Sequence, residues 1–332
     1  MGMNRTRLMW ISPYAWILEL RHFLYDKGIF RSYAFPFHTI CVGNITVGGT
    51  GKTPVTEYLA ASFLEKNVIP VVLSRGYGRK TKGFRYVNVT DTWEQAGDEP
   101  LQIKQHFPGV PVAVCEDRVK GLLRISKDFP GNPPVILDDA FQHRRVRASK
   151  NVLLVDHTRP VSEDTLLPFG RLRDVPRAGK RADCVVYTRC PHVSDPKSLP
   201  KETLWNVPEF YTYMSYGGLV PMNHAKNEPQ KGASLLLVTG IANPKPLVEF
   251  LETNYKVEYH LCFSDHHCFT SKDLDKIRAL LAKHPYIQMV TTAKDAVRLA
   301  SSGIPGWVIP VRLSFFSAES ATEFFHLVTG LH

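Results

Sequence analysis

The sequence predicts an α/β fold in which a mainly parallel sheet, covered by helices on both faces, is followed by a second and smaller α/β unit. Between residue 38 and about residue 190, short apolar runs alternate with helical patterns, as is typical of parallel sheets. Six prolines then interrupt residues 191–232, and the alternation of strands and helices resumes at residue 234. A chain of 332 residues is long enough for two domains, each with its own core.

The individual elements follow from the same pattern. In the first unit we predict strands at 38–43, 69–74, 110–115, 134–138, 151–155 and 183–188, and helices at 54–66, 98–106 and 117–128. In the second unit we predict strands at 234–239, 257–262 and 287–291, and helices at 245–253, 272–283 and 318–328. The proline-rich stretch between the units is predicted to be a linker with a small hairpin, including an aromatic strand at 209–216.

The charge of the chain indicates an anionic partner. There are 41 basic and 31 acidic residues, which give a formal net charge of +10 in a chain that is 44% apolar. Such a surplus attracts nucleic acid, anionic lipid or a phosphorylated substrate, and composition does not choose among them. The six cysteines form no C-x-x-C pair, which is typical of reduced core residues in a cytosolic protein, and no signal peptide is apparent.

An amphipathic helix is predicted near the N-terminus, beginning at Ser12 and Pro13. Its apolar positions recur at helical spacing and are Trp16, Ile17, Leu20, Phe23 and Leu24. The stretch is too short and too charged to span a bilayer, which takes roughly 20 apolar residues. A basic helix with aromatic side chains on one face lies either in a membrane interface or against its own domain, and the pattern leaves both open.

A glycine-rich turn between a strand and a helix is the strongest motif in the chain. Its sequence is Thr46-Val47-Gly48-Gly49-Thr50-Gly51-Lys52-Thr53. In such a P-loop the backbone N–H groups surround a phosphate, the lysine reaches the β- and γ-phosphates, and the final hydroxyl binds Mg²⁺. Thr46 stands where the general pattern has glycine, and Gly48 and Gly49 supply flexibility within the loop. The motif predicts a nucleoside triphosphate site rather than an ordinary turn.

Two acidic residues end a second buried strand. Residues 134–137 are apolar, and Asp138 and Asp139 follow them directly. In a parallel sheet such a strand delivers carboxylates beside the phosphate loop, where an aspartate holds Mg²⁺ directly or through water. We therefore predict a metal site here, and the sequence leaves open which of the two acids contacts the ion.

Two further motifs are candidates for proton transfer. Asp98, in segment 97–100, is either the cap of a helix or a carboxylate that takes a proton from an attacking hydroxyl. His266 and His267 lie in segment 264–267, after a predicted strand of the second unit. They belong either to a surface turn or to a cleft, where one of the two histidines orients a carboxylate of the other unit.

Basic residues lie where a doubly wound sheet binds its ligands. Arg75 follows the second predicted strand, Arg144 follows the aspartate pair, and Arg171 and Arg173 lie in a later loop. Because ligands bind outside the carboxyl ends of parallel strands, we predict that these side chains contact an anionic substrate.

Taken in order, these motifs resemble those of one family, the tetraacyldisaccharide 4′-kinases, which are the lipid A 4′-kinases of Gram-negative bacteria. The resemblance rests on segments 46–54, 74–79, 97–100, 138–144, 265–267 and 291–296, and it runs from residue 11 to the C-terminus. The loop of this family has the same form at position 46. Two residues depart from the family pattern: Ala140, where glycine is usual, and Ala293, where glutamate is usual.

The resemblance implies an enzyme that uses ATP and Mg²⁺ to phosphorylate the 4′-hydroxyl of a tetraacyl glucosamine disaccharide 1-phosphate in lipid A biosynthesis. It implies a peripheral protein at the cytoplasmic face of the bacterial inner membrane, which binds no nucleic acid and has no evident protein partner. The implied architecture is an N-terminal membrane-interface helix (1–30), a P-loop domain that binds nucleotide and substrate (31–205), a two-stranded linker (206–232) and a smaller α/β/α domain (233–332). The two domains close over the nucleotide.

The resemblance also implies a role for each matching residue. The nucleotide-binding residues are Thr46, Gly48, Gly49, Thr50, Gly51, Lys52 and Thr53. The metal-binding residues are Thr53, Asp138 and Asp139, while Asp98 is the general base, His266 orients it and Lys52 contacts the phosphates. The implied substrate contacts are Arg118, Arg171, Arg173 and Asp174. Arg75 and Arg144 are two further predicted substrate contacts, because each follows the end of a strand.

Two other functions stay open. A membrane-associated P-loop nucleotide switch needs Lys52, Thr53 and Asp139 but neither Asp98 nor His266, and a lipid acceptor would not raise its turnover. A nucleic-acid-dependent ATPase is less well supported, because few aromatic residues are interleaved with the basic clusters.

Overall fold

The computed structural model describes residues 13–202 and 204–331, which form two sheets flanked by helices. The strands are β1 (Thr39–Gly43), β2 (Val71–Ser74), β3 (Arg85–Tyr86), β4 (Val112–Val114), β5 (Val135–Asp138), β6 (Lys150–Asp156), β7 (Cys184–Thr188), β8 (Glu209–Tyr216), β9 (Val220–Met222), β10 (Ser234–Thr239), β11 (Lys256–Cys262), β12 (Gln288–Thr292), β13 (Gly306–Ile309) and β14 (Val311–Phe315). The helices are α1 (Pro13–Asp26), α2 (Lys52–Glu65), α3 (Trp93–Ala96), α4 (Asp98–His106), α5 (Arg118–Asp128), α6 (Lys245–Glu252), α7 (Ser271–Lys283), α8 (Ala293–Leu299) and α9 (Ala318–Thr329). The predicted elements are confirmed with slightly shifted ends, and the structure adds the short strands β3, β9, β13 and β14.

The larger sheet has nine strands in the order β14-β8-β7-β6-β1-β5-β2-β4-β3. Each pair from β8 to β4 is parallel, while β3 and β14 run antiparallel to their neighbours at the two edges. The predicted fold class is confirmed. Because β1, β2 and β5 are parallel, their ends at Gly43, Ser74 and Asp138 share one edge of the sheet, which is where ligands bind in this architecture.

The smaller sheet has five strands in the order β11-β10-β12-β13-β9, of which β9 alone is antiparallel to its neighbour. Its interior strand β10 is apolar on both faces, as strands covered by helices on both sides are. Leu235 and Leu237 share a core cluster with α6, while Leu236 and Val238 share another with α7.

The two sheets are connected by β8 and β14, which pair with each other in antiparallel register from Tyr216–Val311 to Thr212–Phe315. The predicted hairpin within residues 206–232 is wrong, because β8 lies in the larger sheet and β9 in the smaller one. The partner of β8 is distant in sequence, so no local turn marks the pairing. Helix α9 also packs on the larger sheet, through Phe324 and Phe325, so the end of the predicted domain 233–332 belongs to the larger core.

Four cysteines are buried and all six are free thiols, but Cys262 and Cys268 are exposed. The prediction that the cysteines are core residues is therefore wrong for these two. Cys262 ends β11, which is an edge strand of the smaller sheet.

Helix α1 begins at Pro13, as predicted. Ser12, which was predicted with it at the start of the helix, lies outside the described residues. Its exposed apolar side chains are Trp16, Ile17, Leu20 and Phe23. The opposite face is buried through Ala15, Leu18 and His22. One face of the helix thus packs on the protein, while the predicted apolar face is exposed. Across residues 13–202 and 204–331, no helix combines the length and apolar character that crossing a membrane requires.

Buried polar contacts hold α1 against the larger domain. His22 Nε2 donates to Asp174 Oδ1 at 2.6 Å, and both side chains are buried. Arg144 donates from Nη1 to His22 Nδ1 at 3.0 Å and from Nη2 to Asp26 Oδ1 at 2.6 Å. The Tyr14 hydroxyl donates to the Arg173 carbonyl at 2.9 Å. The helix is therefore connected to the loop that carries Arg173.

We expect Asp174→Ala to lower the free energy of unfolding by about 3–5 kcal/mol, because it leaves His22 buried without its acceptor. Urea unfolding followed by circular dichroism measures this change. The matched control is Glu19→Ala, which removes the partly exposed pair between α1 and Arg177 and is expected to cost less than about 1 kcal/mol. Equal losses for the two variants would contradict the anchoring role of Asp174.

Candidate active site

The loop between β1 and α2 has the backbone of a phosphate-binding loop. Gly48 and Gly51 have φ of 99° and 84°, in the left-handed region that glycine adopts without strain. A Cβ at Gly51 would also lie 3.0 Å from Met214 Cε. Helix α2 begins at Lys52, so its first N–H groups and the positive end of its dipole face the loop.

Side-chain hydrogen bonds brace this loop. Asn44 donates from Nδ2 to the Thr50 hydroxyl at 2.7 Å and to the Thr46 hydroxyl at 3.3 Å. The Thr188 hydroxyl, at the end of β7, donates to the Thr50 carbonyl at 2.9 Å. Thr46 thus takes part in a polar contact that glycine could not make, which explains how the loop departs from the general pattern.

Asp138 lies at the end of β5 and is fully buried. It accepts hydrogen bonds from Ser74 Oγ at 3.0 Å and from Thr56 Oγ1 at 3.3 Å. Burial, together with the negative charges of Glu99 and Asp139, raises the pKa of Asp138 to about 7. A carboxylate in this environment is stabilised by an added cation.

Asp139 is in the left-handed region, with φ of 47°, and so turns its carboxylate back toward the loop. Arg173 donates to both of its carboxylate oxygens, and Lys52 Nζ lies 4.0 Å from Oδ1. Burial alone would raise the pKa of Asp139, but the charges of Lys52 and Arg173 outweigh this effect and lower it.

These groups fit Mg²⁺ bound together with a nucleotide. The Thr53 hydroxyl and the carboxylates of Asp138 and Asp139 are oxygen donors, which this ion prefers. Among the residues that the structure describes, no three His, Cys, Asp or Glu side chains cluster as a metal cage. Mg²⁺ in kinases and ATPases instead takes one or two carboxylates and completes its shell with water and phosphate oxygens.

Asp98 is the first residue of α4 and is buried. Its Oδ2 accepts hydrogen bonds from His266 Nδ1 at 2.8 Å and from Arg298 Nη2. Both donors belong to the smaller α/β unit, so the predicted contact between His266 and Asp98 across the cleft is present. Burial alone would raise the pKa of Asp98, but the hydrogen bond from His266 and the charge of Arg298 outweigh it and hold that pKa well below its ordinary value.

His266 is itself fixed from several sides. Its φ of 57° is unusual for a residue with a side chain and indicates local backbone strain. Its Nε2 lies 2.9 Å from Lys294 Nζ, which also donates to Asp265 Oδ1 at 2.9 Å. Because an ammonium group only donates, Nε2 is the acceptor, and the Nδ1–H of the ring points at Asp98. The Tyr77 ring packs edge-on against the imidazole, with centroids 5.6 Å apart.

A cavity of about 910 Å³ lies between the two sheets and has the P-loop as one wall. Lys52, Thr53 and Glu99 line it from the larger unit, and Asp265 and Lys294 from the smaller one. The cavity has the size of a nucleotide-binding cleft and contains both the phosphate loop and part of the network around Asp98.

The predicted substrate-binding residues fall into two groups. Arg173 contacts Asp139, and the buried Arg118 donates from Nη2 to the Asp138 carbonyl at 3.1 Å, so both lie beside the acid pair. Arg171 lies next to the P-loop, where its carbonyl accepts from the Val47 N–H at 2.8 Å, and Arg75 is exposed after β2.

Arg144 and Asp174 have a different position. Their side chains face α1, and the Asp174 carboxylate is fully buried against His22. A buried carboxylate that already accepts a hydrogen bond is not available to a substrate, so the prediction for Asp174 is corrected to an anchoring role. The sequence could not show that the loop after β6 turns beneath α1.

Three residues of the site were not predicted from the sequence, namely Glu99, Arg189 and Arg298. Arg189 follows β7, lines the same cavity and donates from Nη1 to Asp156 Oδ2 at 2.6 Å. The rule that ligands bind at strand ends would have found it. Arg298 contacts Asp98, which lies 200 residues earlier in the sequence, and no local pattern indicates such a contact.

The fold and the loop define a P-loop nucleotide-binding protein whose binding cavity lies between two α/β units. Residues 7–329 match the family model described as tetraacyldisaccharide-1-P 4′-kinase, and the chain belongs to this family. Similar proteins named tetraacyldisaccharide 4′-kinase occur in Phocaeicola vulgatus, with 40% identity over 93% of this chain and 91% of the relative, and in Cytophaga hutchinsonii, with 39% identity over 92% and 90%. The crystal structure of LpxK from Aquifex aeolicus in complex with ATP is similar over 98% of this chain and 100% of that one, with a TM-score of 0.76 and 29% identity.

Proposed function

We propose that this protein is an ATP-dependent kinase of lipid A biosynthesis, which phosphorylates the 4′-hydroxyl of a tetraacyl glucosamine disaccharide 1-phosphate. Family membership over residues 7–329 and the names of the relatives support the substrate class. The observation that carries the proposal is the contact between Asp98 and His266, which holds a buried carboxylate beside the P-loop cavity, since the neighbouring Glu99 and Lys294 line that cavity. A nucleotide switch has no need for this contact.

In this proposal the P-loop residues bind the triphosphate of ATP. The glycine-rich backbone from Gly48 to Lys52 surrounds the β- and γ-phosphates, and Lys52 adds a positive charge. Thr53, Asp138 and Asp139 hold Mg²⁺. When bound, this ion neutralises charge on the phosphate oxygens.

Asp98 acts as the general base. The 4′-oxygen of the acceptor forms a bond to the γ-phosphorus, the bond between that phosphorus and the bridging oxygen of ADP breaks, and the hydroxyl proton passes to Asp98. His266 orients the carboxylate from the other side of the cleft. Because phosphoryl transfer depends mostly on positioning and electrostatics, the fixed geometry of this pair is its main contribution.

Basic residues around the cavity are proposed to hold the 1-phosphate and the transferred group. Arg173 lies beside the acid pair, and Arg75 and Arg171 lie at exposed positions near the same edge of the sheet, whereas the buried Arg118 is already bonded to the Asp138 carbonyl. The excess of positive charge in the chain then serves an anionic lipid and its membrane rather than nucleic acid.

The proposed location is the cytoplasmic face of the bacterial inner membrane, where the acyl chains stay in the bilayer and the sugar reaches the cavity. The exposed apolar face of α1 supports this proposal, since helices of this type lie in the interface with aromatic side chains buried. The contacts of His22, Asp26 and Tyr14 would then join the membrane-bound helix to the catalytic domain.

We expect Leu20→Glu to lower binding to vesicles of anionic phospholipid by roughly tenfold, because it replaces an apolar side chain that would enter the interface. Cosedimentation with vesicles measures this. The matched control is Leu123→Glu in α5, since Leu123 is 59% exposed and Leu20 is 58% exposed. If both variants bound vesicles as the wild type does, α1 would not be the membrane contact.

The reaction itself is tested by identifying the product. Incubation of the protein with ATP, Mg²⁺ and tetraacyl disaccharide 1-phosphate in mixed micelles is expected to give a bisphosphate, and phosphorus and proton NMR should locate the new group at carbon 4′. An acceptor that lacks the 4′-hydroxyl should give no product. Phosphorylation at another hydroxyl, or of the acceptor without a 4′-hydroxyl, would refute the proposed substrate position.

A further inference from the structure

We propose that Arg298 is a positioning residue for phosphoryl transfer, which fixes Oδ2 of Asp98 so that Oδ1 is presented to the acceptor hydroxyl. The inference rests on the proposed function, in which Asp98 takes the proton of that hydroxyl. It adds a third member, from the smaller unit, to the pair that Asp98 forms with His266.

The two carboxylate oxygens of Asp98 differ in their hydrogen bonds. Both Arg298 Nη2 and His266 Nδ1 are bonded to Oδ2, and these two donors lie 3.1 Å from each other. Within residues 13–202 and 204–331, no hydrogen bond from another group occupies Oδ1 of Asp98. One oxygen is therefore held by the protein, while the other is left as an acceptor.

The guanidinium of Arg298 is itself fixed. Its Nη1 lies 3.4 Å from Asp295 Oδ1 and 3.5 Å from the His267 carbonyl. Asp295 is fully buried and accepts from the Gly240 N–H at 2.9 Å and the Thr292 hydroxyl at 2.7 Å. Because these contacts hold the planar group in place before a substrate arrives, little rotational freedom is lost when the active site forms.

The position of α8 explains why an arginine of the smaller unit reaches this site. Val297, next to Arg298, is buried in the core cluster of the larger sheet. The helix therefore packs across the cleft against α4, which begins at Asp98. This packing brings Arg298 and the carboxylate together.

The charges around Asp98 favour its ionised form. Arg298 and Lys294 bring positive charge to it and His266 donates a hydrogen bond, while Asp295 pairs with Arg298 and Asp265 pairs with Lys294. Arginine stays protonated at every pH at which the protein is folded, so its effect on Asp98 is constant. The same charge weakens Asp98 as a base, but positioning outweighs base strength in a reaction with a loose transition state.

Three variants test this inference in the full-length protein: Arg298→Gln, Arg298→Lys and, as a control, Arg278→Gln. Arg278 lies in α7 and has a partly exposed pair with Asp275 at 3.1 Å, away from the cleft. We would measure kcat for lipid phosphorylation from pH 5 to 9, the affinity for ATP by calorimetry, and the thermal unfolding midpoint.

For Arg298→Gln we expect kcat to fall roughly 10- to 100-fold with ATP affinity unchanged. Removing the cation raises the pKa of Asp98, but that pKa starts well below its ordinary value, so Asp98 stays ionised from pH 5 to 9 and the fall in kcat should be the same at every pH. Arg298→Lys, which keeps the charge but not the planar fork, should recover only part of kcat. Arg278→Gln should behave as the wild type.

Two outcomes would overturn the inference. In the first, Arg298→Gln keeps kcat within about twofold, so that Arg298 has no part in the reaction. In the second, kcat falls only in proportion to thermal stability and ATP binding in both Arg298→Gln and Arg298→Lys, so that Arg298 is a structural contact only. A wild-type protein that does not phosphorylate the lipid would instead refute the proposed function, which keeps the two failures distinct.

Discussion

Replacing Asp98 by Asn is expected to lower kcat for lipid phosphorylation by roughly 10²–10⁴-fold. Asn keeps the size and one carbonyl acceptor of the side chain, so it still accepts a hydrogen bond from His266, but it takes no proton from the acceptor hydroxyl. The P-loop is not part of this contact, and the affinity for ATP should therefore stay within about threefold of the wild type. Steady-state kinetics with saturating lipid and calorimetry with ATP measure the two quantities.

The control for this variant is Glu94→Gln, which neutralises an exposed carboxylate that pairs with Lys80 away from the cavity. Its kinetics should equal those of the wild type, since an exposed ion pair contributes little. A rate for Asp98→Asn within about threefold of the wild type would show that Asp98 is not the base, whatever its hydrogen bonds.

Replacing Lys52 by Met is the second change with a large expected effect. The ammonium group lies 4.0 Å from Asp139 Oδ1 and faces the cavity, where we expect it to stabilise charge on the transferring phosphoryl group. Its loss should lower phosphate transfer by roughly 10²–10³-fold. Unlike Asp98→Asn, this variant should also bind ATP more weakly, because we expect the lysine to contact the phosphates before transfer.

Single-turnover measurements with saturating lipid separate the two effects of Lys52→Met. Lys66→Met is a matched control, since Lys66 follows the other end of the same helix and is exposed. If ATP bound Lys52→Met with wild-type affinity and transfer continued at the wild-type rate, the loop would not be the triphosphate site.

Local patterns explain how much of this site could be predicted from the sequence. The P-loop, the acid pair and Asp98 each lie directly after a strand or at the start of a helix, and their order along the chain fixes their position at the edge of a parallel sheet. For the pair His266 and His267, the sequence left open a surface turn or a contact across the cleft, and the resemblance to the family selected His266 for that contact. The hydrogen bond of 2.8 Å to Asp98 is a property of the structure.

Long-range packing explains what could not be predicted. The pairing of β8 with β14, the contact of Arg298 with Asp98 and the burial of Asp174 against His22 each join segments that are distant in sequence. No periodicity or turn motif in these segments indicates which segment each one contacts. In the case of Asp174, the resemblance to the family implies a substrate contact, but the carboxylate is buried against a histidine of α1.

The most direct test of the central claim is the rate of ADP formation measured with and without tetraacyl disaccharide 1-phosphate in mixed micelles. We predict that the acceptor raises ADP formation strongly and that one phosphorylated lipid appears for each ADP, because the acceptor hydroxyl is the nucleophile that Asp98 serves. The contrary result is a slow rate of hydrolysis that is the same with and without lipid, with no phosphorylated product. That result would contradict the kinase and would leave a membrane-associated nucleotide switch as the function of this P-loop.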